Sequence, residues 1–409
     1  MIPNNDFFKK YMELYNRFKE FEKNKLPLCA AENYLSDFVN NNISIWEGKY
    51  CLSLYDFQPQ SDFIGAEYVN ELLKLTIELC SKIFKCNYVN PKTLSGMNCF
   101  TTTALSCLDL CHNRNALVTS PDSGGHQSIP RILNLLGYNV DYIPYDYKEY
   151  DINYSETNKL IKNKSYSLIV FAQSDLIRQP NIDLLDITDN EIIIFDATQT
   201  LGLIAAELLP NPLQSKHKNT ILIGGTHKTF PGPSCGLIMT NNLELSKKID
   251  EYISPLCIRD FHPENTAKLL LSLIEFEQLG KYYQDKIVWT ARTLACLLEE
   301  EGFNIAKFKN NYTETHQIFI LTNSECMNRI YNKALKFGIT LNKKNKPLFS
   351  NYGIRIGVQQ IARYDWGIEE LKNLAKIFYL LDDIKDNDME IKELIKILIT
   401  KKNPHFILL

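Results

Sequence analysis

The chain's strongest chemical signal is one lysine in an unusual setting. Residues 224–236 read GGTHKTFPGPSCG, with Lys228 at their centre. An apolar run at 219–225 precedes it with the pattern of a buried strand, and Pro231-Gly-Pro233 then forces a turn before a second apolar run at 235–239. A lysine at the mouth of a buried strand, beside Thr226, His227 and Thr229, is badly placed as a solvated surface charge. It is well placed as a buried amine that forms a Schiff base with pyridoxal 5'-phosphate (PLP). Most lysines are solvated surface ends, so this reading needs support from the rest of the chain.

Three further segments supply what such a site needs, and they come in a consistent order. Residues 90–98, NPKTLSGMN, lead into the helical pattern CFTTTALSCL. A turn of Ser95, Gly96 and Met97 at a helix start offers backbone N–H groups and the positive end of the dipole to a phosphate, although Ser-Gly before a helix is also plain capping. Residues 120–126, SPDSGGH, follow a strand pattern; the glycines let the backbone approach a ligand, and His126 is suited to stack on a flat ring. Taken alone, His126 reads better as a polar loop residue. In residues 192–199, IIIFDATQ, Asp196 closes a buried strand at its carboxyl end, where binding sites of parallel sheets open. There it would pair with a pyridine nitrogen and Gln199 with the ring's phenolic oxygen, but strand-end aspartates also cap helices. Phosphate turn, stacking histidine, strand-end aspartate and strand-end lysine in this order are hard to obtain by chance.

The elements that must position these groups are legible in the apolar pattern. Helical stretches alternate with short apolar runs at 116–119, 167–172, 191–195, 220–224 and 236–240, the pattern of a mainly parallel sheet covered by helices on both faces. Residues 6–23 set Phe7, Tyr11, Leu14, Tyr15, Phe18 and Phe21 on one helical face, expected to pack as an arm on the main body or on a second subunit. A long helix over 265–301 leads to strand pieces at 318–321 and 353–358, helices near 324–337 and 367–383, and an amphipathic helix at 389–402. The expected division is an arm at 1–25, a large α/β domain at 26–262, and a connecting helix with a small α+β domain at 263–409.

Composition sets limits on the function. The chain has 409 residues, of which 45% are hydrophobic and 23% charged, with a net charge of −3, so it lacks the basic excess of a general nucleic-acid binder. Its eleven cysteines stand singly in apolar segments, as buried free thiols do in a reducing compartment. Cys107, Cys111 and His112 have no second cluster to complete a tetrahedral metal site. There is no signal-peptide pattern and no apolar run long enough to span a bilayer, so a soluble cytoplasmic protein that binds neither membrane nor nucleic acid is expected.

From about residue 26 to 380 the chain resembles the serine (glycine) hydroxymethyltransferases, fold-type-I PLP enzymes of the aspartate-aminotransferase superfamily. Residues 28–34, LCAAENY, resemble the family's LIASENF; residues 65–69, GAEYV, its GCEYV; and residues 353–357, GIRIG, match its motif outright. Ser95-Gly96, Gly124-Gly125-His126, Asp196 and Thr226-His227-Lys228-Thr229 fall on its cofactor residues. The resemblance implies a large domain with a seven-stranded sheet, a smaller C-terminal α+β domain, and a homodimer with its sites at the interface. It implies that Arg355 binds the α-carboxylate of a small amino acid, with Glu32 and Ser174 on the substrate's side, and it gives Arg363 a place near the site. A planar two-pronged donor suits that role; the bland alternative is a structural ion pair. Between Ile354 and Ile356, the arginine should point away from both.

Departures from the family fall where its folate and hydroxymethyl chemistry lie. Against the family's YAEGYPGKRYYGG, residues 53–65 place Tyr55 where its glutamate stands and Phe63 where its second tyrosine stands; a slip in register would offer Asp56 or Asp62 as the acid. FPGPSCG replaces LRGPRGG after the lysine, the glycine-rich folate loop becomes residues 254–262, Gln199 replaces a histidine, and Ala31 replaces a serine. The pattern keeps what holds PLP and an amino-acid carboxylate and alters most of what recognises tetrahydrofolate. The expected activity is bond making or breaking at Cα of a glycine-, serine- or alanine-like substrate, of aldolase or transaldolase type. Lys228, Tyr55, Asp56 and His227 are the candidate proton carriers. An aminotransferase or other fold-type-I lyase or racemase, and a true folate-dependent hydroxymethyltransferase, are the alternatives.

Overall fold

The computed structural model describes residues 6–41, 43–49 and 64–408. Seven strands form the larger sheet: β1 (Tyr88–Asn90), β2 (Asn115–Val118), β3 (Asn139–Tyr142), β4 (Leu168–Ala172), β5 (Ile192–Asp196), β6 (Thr220–Gly225) and β7 (Gly236–Thr240). Their order is β1-β7-β6-β5-β4-β2-β3, and only β7 runs against its neighbours. Central strands β4, β5 and β6 read LIVFA, IIIFD and TILIGG because both their faces are covered. On one face lie Phe171, Ile193, Leu222 and Leu237; on the other lie Val170, Ile194, Ile223 and Ile238. The result is a mixed α/β protein with a large, mostly parallel sheet.

A second, four-stranded antiparallel sheet contains β8 (Asn304–Ile305), β9 (Gln317–Leu321), β10 (Asn342–Lys344) and β11 (Gly353–Gly357) in the order β8-β9-β11-β10. Alternation along β9 and β11 sends Ile318, Ile320, Ile354 and Ile356 into a core with the Pro263–Glu300, Ser324–Phe337 and Ile368–Asp382 helices. The opposite face carries Gln317 and Arg355 toward the larger sheet, where Arg355 meets Asp175 and Gln317 meets Ser174.

The first helix, Asp6–Asn24, buries none of its residues, and Phe7, Leu14 and Phe18 are exposed in the single chain. The C-terminal segment is tied back: His405 N donates to Arg363 O at 2.6 Å, Leu408 N to Glu275 Oε2 at 3.0 Å, and Trp366 Nε1 to Lys401 O at 3.0 Å. Among the described residues no helix is long and apolar enough to cross a membrane.

Candidate active site

The carboxyl ends of β2, β4, β5 and β6 converge because these strands run the same way. Register pairs Ala172 with Asp196 and Asp196 with Ile223, so the segments that follow all emerge at one edge. There the chain turns into Gln173-Ser174-Asp175 after β4 and Thr226-His227-Lys228 after β6. His126 joins them: its N–H donates to Ala172 O at 2.8 Å. Ser128 N donates to His126 Nδ1 at 3.2 Å, which leaves the ring proton on Nε2. Burial, with Lys228 and Lys346 nearby, lowers the His126 pKa against the pull of Asp196 and keeps the ring neutral.

The backbone around Lys228 is fastened at its carbonyls. Asn33 Nδ2 donates to Lys228 O, Gln284 Nε2 to Thr229 O at 2.8 Å, and Thr229 Oγ1 to Gln199 O at 2.9 Å. Burial brings the Lys228 pKa down to about 8, the Asp196 carboxylate opposing and Arg355 assisting. Near physiological pH a fraction of the amine is therefore neutral, far more than for an ordinary lysine, and that is the form that attacks an aldehyde. The Gln199 carboxamide lies 2.9 Å from Lys228 Nζ. With its oxygen turned to the amine it accepts from an ammonium; turned the other way, that oxygen accepts from Gln317 Nε2 at 3.0 Å and the amide nitrogen faces a neutral lone pair. Thr226 turns its hydroxyl inward to the Pro233 carbonyl, so its side chain fixes the turn. Burial pushes the His227 pKa down to about 4, with Lys228 adding to the effect, and among the described residues His227 Nδ1 is buried without a partner.

Asp196 accepts from Thr198 N at 2.9 Å, and burial raises its pKa despite that bond. Beside it, Ser95 caps the Gly96–Ser106 helix by accepting from Asn98 N at 3.1 Å, while the first-turn N–H groups of Gly96 and Met97 have no intrahelical acceptor. A Cβ at Gly96 would lie 2.9 Å from Thr198 Oγ1 and 3.1 Å from Gly225 N, so only glycine leaves this corner open. A helix N-terminus for a phosphate, a buried carboxylate for a ring cation and a lysine of lowered pKa for an aldehyde fit PLP.

Arg355 is nearly buried, and its prongs are occupied. Nη1 donates to Asp175 Oδ1 at 2.7 Å and to Ser174 O at 2.9 Å, and Nη2 donates to Asn342 Oδ1 at 2.7 Å. It points opposite to Ile354 and Ile356, as alternation requires. Ser174 meets it through its carbonyl. Glu32 is exposed and ion-paired with Lys25 at 3.3 Å, on the rim of a groove of about 560 Å³ that Asn33, Tyr34 and His227 also line. Tyr55, Asp56, Asp62 and Phe63 lie outside the described residues. Arg363 is fully buried 3.5 Å from Glu275 Oε1, with its guanidinium 4.7 Å from the centre of the Tyr283 ring.

Sequence reasoning missed Asp175, Asn33, His316 and the lysines at 344 and 346. His316 is fully buried, and burial drives its pKa down to about 3 although Ala30 O faces Nε2 at 3.3 Å. Asn33 lies within a quoted motif, but nothing local shows that it reaches Lys228.

The serine hydroxymethyltransferase family model matches residues 5–378. The chain belongs to the serine hydroxymethyltransferase family. This member is accordingly a PLP-dependent enzyme with PLP as its cofactor. It is 28% identical over 402 residues to the serine hydroxymethyltransferase of Archaeoglobus fulgidus, covering 91% of this chain and 87% of that protein. It is 29% identical over 401 residues to that of Thermoplasma volcanium, covering 94% and 92%. In three dimensions it is similar to L-threonine transaldolase from Pseudomonas fluorescens, a fold-type-I enzyme, with a TM-score of 0.86, 20% identity, and coverage of 97% of this chain and 92% of that one. At that identity the likeness speaks for the fold.

Proposed function

We propose that this family member makes or breaks a bond at Cα of a small α-amino acid by aldol or transaldol chemistry, without tetrahydrofolate. One observation carries the reading: Lys228 lies within electrostatic reach of Asp196 and Arg355, while residues 254–262, in place of the family's glycine-rich folate loop, anchor Ile258 and Phe261 in the core and leave Leu256, Arg259 and Asp260 exposed. The transaldolase on a similar fold is in keeping with it. The curated relatives named serine hydroxymethyltransferase favour the second reading, folate-dependent transfer.

When bound, PLP accepts the electron pair released from a bond at Cα. Lys228 would hold its aldehyde and, once displaced by the incoming amine, is free to carry a proton to or from Cα, as its lowered pKa allows. The Asp196 carboxylate would keep the ring nitrogen protonated, and the neutral His126 ring would cover one face. N–H groups of Ser95, Gly96 and Met97 would hold the phosphate, Thr226, whose N–H donates to Cys235 O, would shape the turn beside it, and Gln199 would lie by the phenolic oxygen. Arg355 would take the α-carboxylate, exchanging part of its contact with Asp175, with Ser174 and Glu32 on the same side. His227 and Tyr55 are the remaining candidates for proton transfer at a β-hydroxyl. We read residues 26–262 as the domain that carries PLP and 263–409 as the domain that brings Arg355, in a cytoplasmic homodimer.

Aldehyde release from L-threonine and L-serine, followed with and without tetrahydrofolate, tests the reading. Release at equal rates in both conditions is expected. A strict requirement for tetrahydrofolate would return the protein to ordinary hydroxymethyl transfer.

A further inference from the structure

The carboxylate that holds Arg355 is itself surrounded by more positive charge than it neutralises. Asp175 is buried, and Arg355 Nη1 and Lys344 Nζ lie 2.7 and 2.8 Å from Oδ1. Lys346 Nζ lies 2.5 Å from Oδ2. The lysine side chains are 19% and 17% exposed, and among the described residues neither has another carboxylate in ion-pair contact. One anion thus faces three cations in a poorly solvated corner, an arrangement that is costly unless a further anion arrives. A latch between the two sheets would need one cation; the surplus calls for another explanation.

The strand pattern sets these charges on the site's side. Asn342 stands in register with Arg355, and Lys344, two residues on, shares its face, while Lys343 points the other way and lies 4.8 Å from the Tyr331 ring. Lys346 Nζ also donates to Pro121 O at 3.2 Å, on the turn that leads to His126. That turn packs on the same anchor: Gly124, at φ +96°, approaches Asp175 O so closely that a Cβ there would sit 2.2 Å from it. The cluster therefore stands beside the site: Lys346 and Asp175 lie within electrostatic reach of His126, and Arg355 and Asp175 of Lys228.

We propose that Lys344 and Lys346 form a second anion subsite beside Arg355, and that the substrates carry a second anionic group, a carboxylate or a phosphate. The inference rests on reading Arg355 as the α-carboxylate ligand. With that carboxylate on Arg355 and Asp175 in place, one cation is still unmatched, and a second anion matches it. The extra group belongs either to the amino acid's side chain or to the aldehyde that leaves or arrives.

Calorimetric titration of the holoenzyme separates the two sources. One arm compares L-aspartate and O-phospho-L-serine with L-alanine and L-serine; the other compares glyoxylate with acetaldehyde in the presence of saturating glycine. In at least one arm the anionic ligand is expected to bind about tenfold tighter or more. That preference ratio should fall by about tenfold in Lys344→Gln/Lys346→Gln and return in Lys344→Arg/Lys346→Arg. If the double variant does not fold, Lys346→Gln alone carries the test. Ratios near one in both arms, or a preference that survives the replacement, overturn the subsite. If no amino acid of either kind binds, the reading of Arg355 falls, and the subsite with it.

Discussion

Arg355 Nη1 donates to Asp175 Oδ1 at 2.7 Å, so the guanidinium proposed for a substrate carboxylate already holds a buried carboxylate of the chain itself. Burial alone would raise the Asp175 pKa, but Arg355, Lys344 and Lys346 bring it down to about 2. A depressed acid contributes stability that is present above its unfolded pKa and lost only as pH falls through the folded value. This ion cluster should therefore hold across neutral pH and fail only in strong acid. Asp175→Asn should lower the melting temperature, because three cations lose their anion, by an amount equivalent to about 3 kcal/mol. In the same variant an added amino acid should restore more stability than it does in the parent, which thermal melts with and without ligand will show.

Replacing Arg355 with alanine should raise KM for a small amino acid by about two orders of magnitude, the usual cost of losing one partner of a buried charge pair. Because Asp175 keeps Lys344 and Lys346, the loss should appear in substrate binding rather than in cofactor content. Steady-state kinetics beside the holoenzyme spectrum will separate the two.

Lys228→Ala should abolish turnover and the covalent link to PLP that borohydride fixes. Peptide mass mapping of the reduced protein will locate that link at Lys228 in the parent. A borohydride-fixed PLP adduct in Lys228→Ala would move the anchor elsewhere.

The Lys228 pKa of about 8 sets a pH dependence of known sign. Only the neutral amine attacks an aldehyde, so PLP capture by the apoenzyme should accelerate with pH and level off near 8 rather than near 10.5, the ordinary lysine value. Between those two values the unfolded chain binds the extra proton, so this group's contribution makes the apoenzyme more stable as pH rises through the window. Stopped-flow capture rates and apoenzyme melts across that range check both signs.

Gly96→Ala should weaken PLP binding about tenfold or more, since the methyl group would press Thr198 Oγ1 and the Gly225 backbone at the helix N-terminus. Fluorescence titration of the apoenzyme measures the affinity. A melting temperature close to the parent's would place the effect at the phosphate corner.

The central sheet was legible because β4, β5 and β6 are covered on both faces and so carry unbroken apolar runs. The edge strands β1 and β3 went unrecognised: YVN and NVDY are short, half-exposed and partly polar, as edge strands are. Lys228, Asp196 and His126 could be proposed because each ends a strand or follows a glycine turn, a signal local to its segment. The Arg355 direction followed from its isoleucine neighbours. Its partner did not, since Asp175 and Lys344 meet only once two sheets have been assembled from distant parts of the chain. The same holds for Asn33, whose amide reaches the Lys228 carbonyl across the fold.

Proton exchange at Cα of glycine in deuterated water, followed by nuclear magnetic resonance with the holoenzyme alone and with tetrahydrofolate added, tests the central claim most directly. The account predicts that deuterium enters glycine at the same rate in both samples and that Lys228→Ala abolishes it. Exchange that occurs only when tetrahydrofolate is present, or no exchange in either sample, would contradict folate-independent chemistry at Cα.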